Sequence, residues 1–195
     1  RNCYKEKIIY LPNSYQPNDN KRAISKDITS RSDFDLPAKS FVFCCFNTTY
    51  KITLEEIEVW SSILSKVNDS IIWLIDTDPI AKKNIVQSFK NNQIAESRIK
   101  FAQNLPHDKH LERAKHADLF LDTFNVNAHT TCSDTLWSAV PLVTKIGKQF
   151  SARVASSLLK AVDLEELITT SNEQYEKLAL KLAINRDYLN SIKKK

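Results

Sequence analysis

The sequence predicts an α/β fold, a parallel sheet covered by helices on both faces. Two observations carry that expectation. From residue 40 onward short apolar runs alternate with stretches of helical periodicity. The runs are apolar throughout instead of alternating with polar residues, which marks strands buried on both sides, and helices separate them as parallel crossovers require.

Taken in order, the first forty residues are polar and irregular, with Leu11-Pro12-Asn13-Ser14-Tyr15-Gln16-Pro17-Asn18-Asp19 at their centre. Residues 1–39 therefore read as a linker segment and 40–195 as the folded unit. Strand-like runs stand at 41–46, 71–75, 99–102, 119–121 and 142–146, and helical periodicity at 54–67, 81–92, 109–117, 130–139 and 150–162. The stretch from 172 to 195 is helical and ends in lysines, which suit a helix C-terminus. In parallel sheets ligands bind at the carboxyl ends of strands, near the point where strand order reverses. The loops beginning at Asn47, Asp76, Gln103, Asp122 and Gly147 are therefore the places to look for function.

With 195 residues the chain can bury one substantial core and reads as one domain. Its net charge of +5 is spread among 23 acids, apart from the terminal Lys193-Lys194-Lys195, and falls short of a nucleic-acid footprint. No apolar run approaches the ~20 residues a membrane helix needs, and no secretory signal is present. No nucleic-acid and no membrane partner is expected. The four cysteines do not form a disulfide framework, since Cys44 and Cys45 are neighbours pointing to opposite faces of one strand. A reducing cytoplasm is the simplest setting. The chain holds no methionine, so it reads as trimmed or as a fragment of a longer open reading frame. Its single glycine, Gly147, excludes both a G-x-G-x-x-G loop and a P-loop. Any phosphate must be held by helix ends and side chains.

The most informative stretch runs from Asn125 to Trp137. It follows the apolar run ending at Asp122 and opens an amphipathic helix that Thr130 or Thr131 can cap. A helix N-terminus at the end of a strand suits a diphosphate, through its free N–H groups and dipole. Asp134 follows Thr131 by three residues and Thr130 by four, on one helical face, where a carboxylate can accept both hydroxyls of a ribose. With His129 these residues suggest a nucleoside diphosphate; the plainer reading is a capped helix with a solvated Asp134. After the first strand, Asn47-Thr48-Thr49-Tyr50-Lys51 places a lysine where it can meet a departing diphosphate, or simply a surface lysine. After the third, Leu105-Pro106-His107-Asp108-Lys109-His110 offers a histidine to stack on a base and Leu105 backbone groups to its edge. His107 and His110 lack a third ligand at metal spacing, so no metal is expected. His116 is expected at the solvated end of its helix. Asp76-Thr77-Asp78 looks like a cation-binding D-x-D, but before Pro79 it reads as a helix cap. Trp60, Trp73 and Trp137 read as core, and neither a Ser-His-Asp set nor a glycosidase carboxylate pair can be assembled.

Those residues together resemble the O-GlcNAc transferase family, especially its bacterial members. The resemblance rests on Tyr10-Leu11-Pro12 with Tyr15-Gln16-Pro17-Asn18-Asp19, on Phe41 to Asn47 leading to Tyr50-Lys51-Ile52, and on Ala117 to Thr123. It continues through Asn127-Ala128-His129-Thr130-Thr131 with Asp134 and Leu136-Trp137, then Arg153-Val154-Ala155-Ser156-Ser157-Leu158-Leu159. It implies a Rossmann-like parallel sheet, the C-terminal lobe of a two-lobed GT-B glycosyltransferase, binding the UDP part of UDP-GlcNAc without metal or other cofactor. Residues 1–39 would be the inter-lobe linker. Lys51 would contact the diphosphate and assist UDP departure. His129, Thr130 and Thr131 would cradle phosphate, Asp134 would bind the ribose, and His110 would sit against uracil beside the Leu105 backbone. Arg113 would lie near the base loop. Thr48 and His107 stand where animal members carry a glutamine and a lysine.

The resemblance further implies a protein acceptor held by an N-terminal lobe and helical repeats, neither of which is in this sequence. The chain alone would be catalytically incomplete. Two alternatives stay open: a stand-alone, non-catalytic nucleotide-sugar-binding or assembly module, and a transferase for another sugar or acceptor.

Overall fold

A computed structural model describes residues 5–195; Cys3 and the start of the 1–39 segment lie outside the described residues. Five strands form at the apolar runs: β1 (Phe41–Cys45), β2 (Ser70–Ile75), β3 (Ile99–Ala102), β4 (Leu119–Leu121) and β5 (Leu142–Lys145). A sixth, β6 (Ile168–Thr169), has two residues, too few to leave a periodic signal in the sequence. Every neighbouring pair is parallel, in the order β3-β2-β1-β4-β5-β6. All of β1 is buried, as a central strand covered on both faces must be. The α/β Rossmann-like expectation is met, and the order reverses between β1 and β4.

Among the described residues seven α-helices cover the sheet: α1 (Leu54–Lys66), α2 (Pro79–Asn91), α3 (His107–Ala114), α4 (Thr130–Trp137), α5 (Val154–Ala161), α6 (Asn172–Ile184) and α7 (Arg186–Lys193). α1 packs against α2 and α6, while α4 packs against α3 and α5, giving a layer on each face. The core between them holds Phe43, Trp60, Ile72, Trp73, Phe120 and Tyr175, all fully buried. Each such side chain contributes about 1.5–3 kcal/mol by leaving water. Among the described residues no helix is long and apolar enough to cross a membrane. Cys44, Cys45 and Cys132 are free thiols, fully buried.

Local chemistry explains the element ends. Asp78 caps α2 by accepting the Ile80 and Ala81 N–H groups at 3.0 Å, so the D-x-D stretch is a helix start, with Asp76 paired to Lys82 at 2.7 Å. The stretch expected as one helix over 150–162 is a 3-10 turn at Phe150–Ala152 followed by α5. Here the Gly147 N–H donates to the Ala152 carbonyl at 2.7 Å, and a Cβ on Gly147 would lie 2.6 Å from that of Ala152. The one glycine of the chain serves this close approach. The C-terminal helix breaks at Asn185, whose side chain accepts the Tyr188 N–H at 2.9 Å and starts α7 afresh.

The N-terminal segment is fastened to this frame. Leu36 enters the core, and Arg31 donates to Asp118 at 2.8 Å and to the Ser40 carbonyl at 2.7 Å. His116 is not on a solvated helix end: α3 stops at Ala114, and the half-buried ring lies 2.7 Å from the Thr29 hydroxyl and against Phe34. Burial lowers its pKa.

Candidate functional site

The reversal between β1 and β4 puts two loops side by side, residues 46–53 and 122–129. Asp122 organises their floor. It is fully buried, and its Oδ1 accepts from the Asn47 amide (3.2 Å), the Thr123 N–H (2.9 Å) and the Ala128 N–H (2.7 Å). Its Oδ2 accepts from the Thr144 hydroxyl at 2.7 Å. Burial nevertheless raises its pKa to about 6, because desolvation outweighs the donors. Glu56, also fully buried, accepts the Phe124 N–H at 2.7 Å and closes the capping box of α1 on Thr53. Asn127 donates to the Thr123 carbonyl at 2.7 Å. Asn47 and Asp122 stand where the sequence marks the ends of apolar strands, whereas Glu56, inside α1, gives no such signal.

The loop they fix delivers the N-terminus of α4. Neither Thr130 nor Thr131 caps it, contrary to the sequence expectation. His129 occupies the N-cap position with φ −103° and ψ −93°, and no side chain among the described residues caps the helix. Both threonines stand in the first turn, where N–H groups have no intrahelical acceptor. Thr130 is exposed and Thr131 half-buried. The His129 ring is engaged at both nitrogens, Nδ1 with the Tyr15 hydroxyl at 2.9 Å and Nε2 with the Ser151 carbonyl at 3.3 Å. Burial first, and the nearby Lys51 charge, lower its pKa. Lys51 sits in a 3-10 turn, Thr49–Lys51, and its Nζ donates to the Asn127 carbonyl at 3.0 Å, beside the start of α4. Thr48 is exposed at the same mouth.

A second group lies along α3 and the body of α4. His110 packs edge-on to Phe46, ring centroids 5.1 Å apart. Burial and the Arg113 charge push its pKa down to about 4, so it is neutral at pH 7. Its Nδ1 accepts from Arg113 Nη2 at 2.8 Å, which leaves the proton on Nε2. Arg113 itself is 1% exposed, held also by the Gln103 carbonyl and lying over Phe46 and Trp73. The guanidinium packs against the protein in the loop after β3, where it donates to the Gln103 carbonyl and orients His110. His107 opens α3 and is exposed, with Nε2 3.2 Å from Asp134 Oδ1. Leu105 is partly exposed in the preceding loop. Asp134 is not the solvated carboxylate of the plainer reading. It is 8% exposed and ion-paired through Oδ1 with Arg22. Trp137 is 39% exposed rather than core, and Arg22 lies over its ring at 4.9 Å.

A doubly wound parallel sheet with an uncapped helix end and a lysine at its switch point has the architecture of a lobe of a GT-B glycosyltransferase. Comparison with known proteins makes the assignment specific. Residues 14–195 match Glycosyl transferase family 41, and the chain belongs to that family. It is 35% identical over 199 residues to the Arabidopsis thaliana protein SEC, described as a probable UDP-N-acetylglucosamine–peptide N-acetylglucosaminyltransferase, covering 98% of this chain and 20% of the relative. A UDP-N-acetylglucosamine–peptide N-acetylglucosaminyltransferase of Caenorhabditis elegans is 34% identical over 168 residues, covering 86% of this chain and 15% of the relative. Among solved structures, a mutant O-GlcNAc transferase of Thermobaculum terrenum superposes with a TM-score of 0.83 at 26% identity, over 97% of this chain and 36% of that one. The chain thus spans about a fifth of the length of the first of these relatives.

Proposed function

We propose that this chain is the donor lobe of a metal-independent protein O-GlcNAc transferase of the cytoplasm, holding UDP-GlcNAc while a second lobe presents a Ser or Thr hydroxyl. Residues 1–39 are its inter-lobe linker. The observation that carries this reading is the α4 end. A helix of eight residues starts without a side-chain cap at the strand-order reversal, with Lys51 fixed beside it. Such an end attracts a diphosphate through its N–H groups and dipole, and a lysine supplies the charge a metal would otherwise bring. In the whole enzyme the acceptor oxygen bonds to the anomeric carbon as the bond to the diphosphate breaks. The electron pair leaves on UDP, towards Lys51 and the Thr130–Thr131 turn, and the hydroxyl proton passes to a base outside this chain. Neutral His110, with Arg113 fixing its ring, offers a flat face and an Nε2–H to the base, next to the Leu105 backbone. Thr48 and His107 flank the donor on either side.

Calorimetry with UDP, UDP-GlcNAc, UDP-glucose and a GDP-sugar tests it. UDP and UDP-GlcNAc are expected to bind in the presence of EDTA and the GDP-sugar not to bind. Loss of UDP binding on chelation, or equal binding of GDP-sugar, would sink the reading.

A further inference from the structure

Three side chains of one stretch of the N-terminal segment each meet a residue of α4 or its cap. Tyr15 bonds His129 at 2.9 Å, Gln16 Nε2 donates to Thr130 Oγ1 at 2.9 Å, and Arg22 Nη1 donates to Asp134 Oδ1. The stretch is pinned at its start by the Ser157 hydroxyl, which donates to the Asn13 carbonyl at 2.9 Å.

Arg22 is the most constrained of the three. Its side chain is 12% exposed. Its Nε donates to the Asp19 carbonyl at 3.1 Å, its guanidinium lies over Trp137 at 4.9 Å, and its Nη1 pairs with Asp134. The Asp134 side chain is 10% exposed, a position where an unpaired carboxylate would carry a large desolvation cost. Arg22 and His107 both meet Oδ1, and among the described residues no hydrogen bond or ion pair falls on Oδ2. A carboxylate gripped by one oxygen has its second lone-pair edge aimed in a fixed direction.

We infer that Arg22 is a positioning residue of the donor site: it holds the Asp134 carboxylate by Oδ1 so that Oδ2 is presented to the ribose hydroxyls of the bound nucleotide. The N-terminal segment is then part of the donor site, not only a connection to another lobe. This rests on the reading of the chain as a UDP-sugar lobe, with Asp134 as the ribose acceptor.

The test is calorimetry on the full 195-residue chain with UDP and with 2′,3′-dideoxy-UDP. Arg22→Ala is expected to weaken UDP roughly tenfold, the size of one charge-assisted hydrogen bond, and to leave dideoxy-UDP within about twofold. The double variant with Asp134→Ala is expected to bind UDP no more weakly than Asp134→Ala alone, because Arg22 acts through that carboxylate. Should Arg22→Ala fail to fold, Arg22→Lys carries the test, with UDP weakened severalfold and dideoxy-UDP unchanged. Unchanged or tighter UDP binding in a folded Arg22 variant overturns the inference, the second result meaning that Arg22 competes with the ribose. Equal losses for both nucleotides overturn it too, since Arg22 would then touch phosphate or merely hold the fold. If the unaltered chain binds neither nucleotide, the donor-lobe reading itself fails, an outcome distinct from all of these.

Discussion

On the floor of the crevice the carboxylate of Asp122 is fully buried and takes four donors, spread over both oxygens. At the rim the side chain of Asp134 is 10% exposed and takes two partners, both on one oxygen. The floor is closed, with its hydrogen-bonding capacity spent on the loops that follow β1 and β4. The rim keeps capacity in reserve. A carboxylate saturated by protein donors shapes backbone, whereas one gripped from a single side can still accept a ligand. The aspartate that follows β4 and the one in α4 thus have opposite work, and the donors around each tell them apart.

The sharpest way to break the comparison is Asp122→Ala. It strands two backbone N–H groups and the Thr144 hydroxyl in a buried site and leaves the Asn47 amide with Thr123 Oγ1 as its remaining acceptor. The expected loss is about 3–5 kcal/mol of stability, read by urea denaturation. UDP binding should disappear with it, because the loop delivering α4 loses its anchor. A loss under 1 kcal/mol would mean that the loop holds its shape through Glu56 and Asn127 alone.

Lys51 comes next, and it separates the two regions differently. It is half-buried and reaches across the mouth to the Asn127 carbonyl. In a full two-lobed enzyme Lys51→Ala is expected to lower turnover ~10²–10³-fold, the usual effect of removing one electrostatic contact to a leaving group, with little change in donor KM. In this lobe the same change should leave stability within about 0.5 kcal/mol, as surface substitutions do. Near-normal turnover would show that the α4 end suffices without the lysine.

The same contrast explains what the sequence could reveal. The sheet was legible because β1, β2 and β4 are apolar on both faces, and only a strand between two helix layers is so. The short β6, the break at Asn185 and the 3-10 turn before α5 were hidden, since each depends on a single close contact, such as Gly147 with Ala152. In the site, residues on regular elements at helical spacing, Thr130, Thr131 and Asp134, could be read as one face. Arg22 could not, because it reaches Asp134 across 112 residues from a segment without periodicity. The burial of Arg113 was hidden for the reverse reason: an arginine one turn from His110 on a helix reads as solvent-facing until its packing over Phe46 and Trp73 is known. The buried Asp122, Glu56 and Asn127 needed the loops' backbone geometry before their partners could be named.

The smallest effect expected is one of pH, and it again sets floor against rim. Asp122 has its folded pKa raised to about 6 by burial. A raised pKa means the folded state binds the proton more tightly than the unfolded chain. The associated stability is therefore fully present below the unfolded value near 3.8 and is lost as pH rises through about 6. His110 has its folded pKa pushed down to about 4, again by burial. Its contribution has the opposite sense, present above the unfolded value of 6.5 and lost as pH falls through about 4. Across pH 4–6.5 the two oppose each other. Asp122→Asn removes one of them while keeping an oxygen for the Thr123 and Ala128 N–H groups, with an amide facing the Thr144 hydroxyl. Relative to the unaltered chain, the variant should therefore gain roughly 2 kcal/mol of stability between pH 4 and pH 7, because it no longer carries the Asp122 titration. Thermal melts across that range read it directly. A stability difference that stays constant with pH would mean the four donors offset burial in full and Asp122 titrates like an exposed carboxylate. The floor would then tell against burial as the stronger influence, and the closed network would stabilise charge as well as shape.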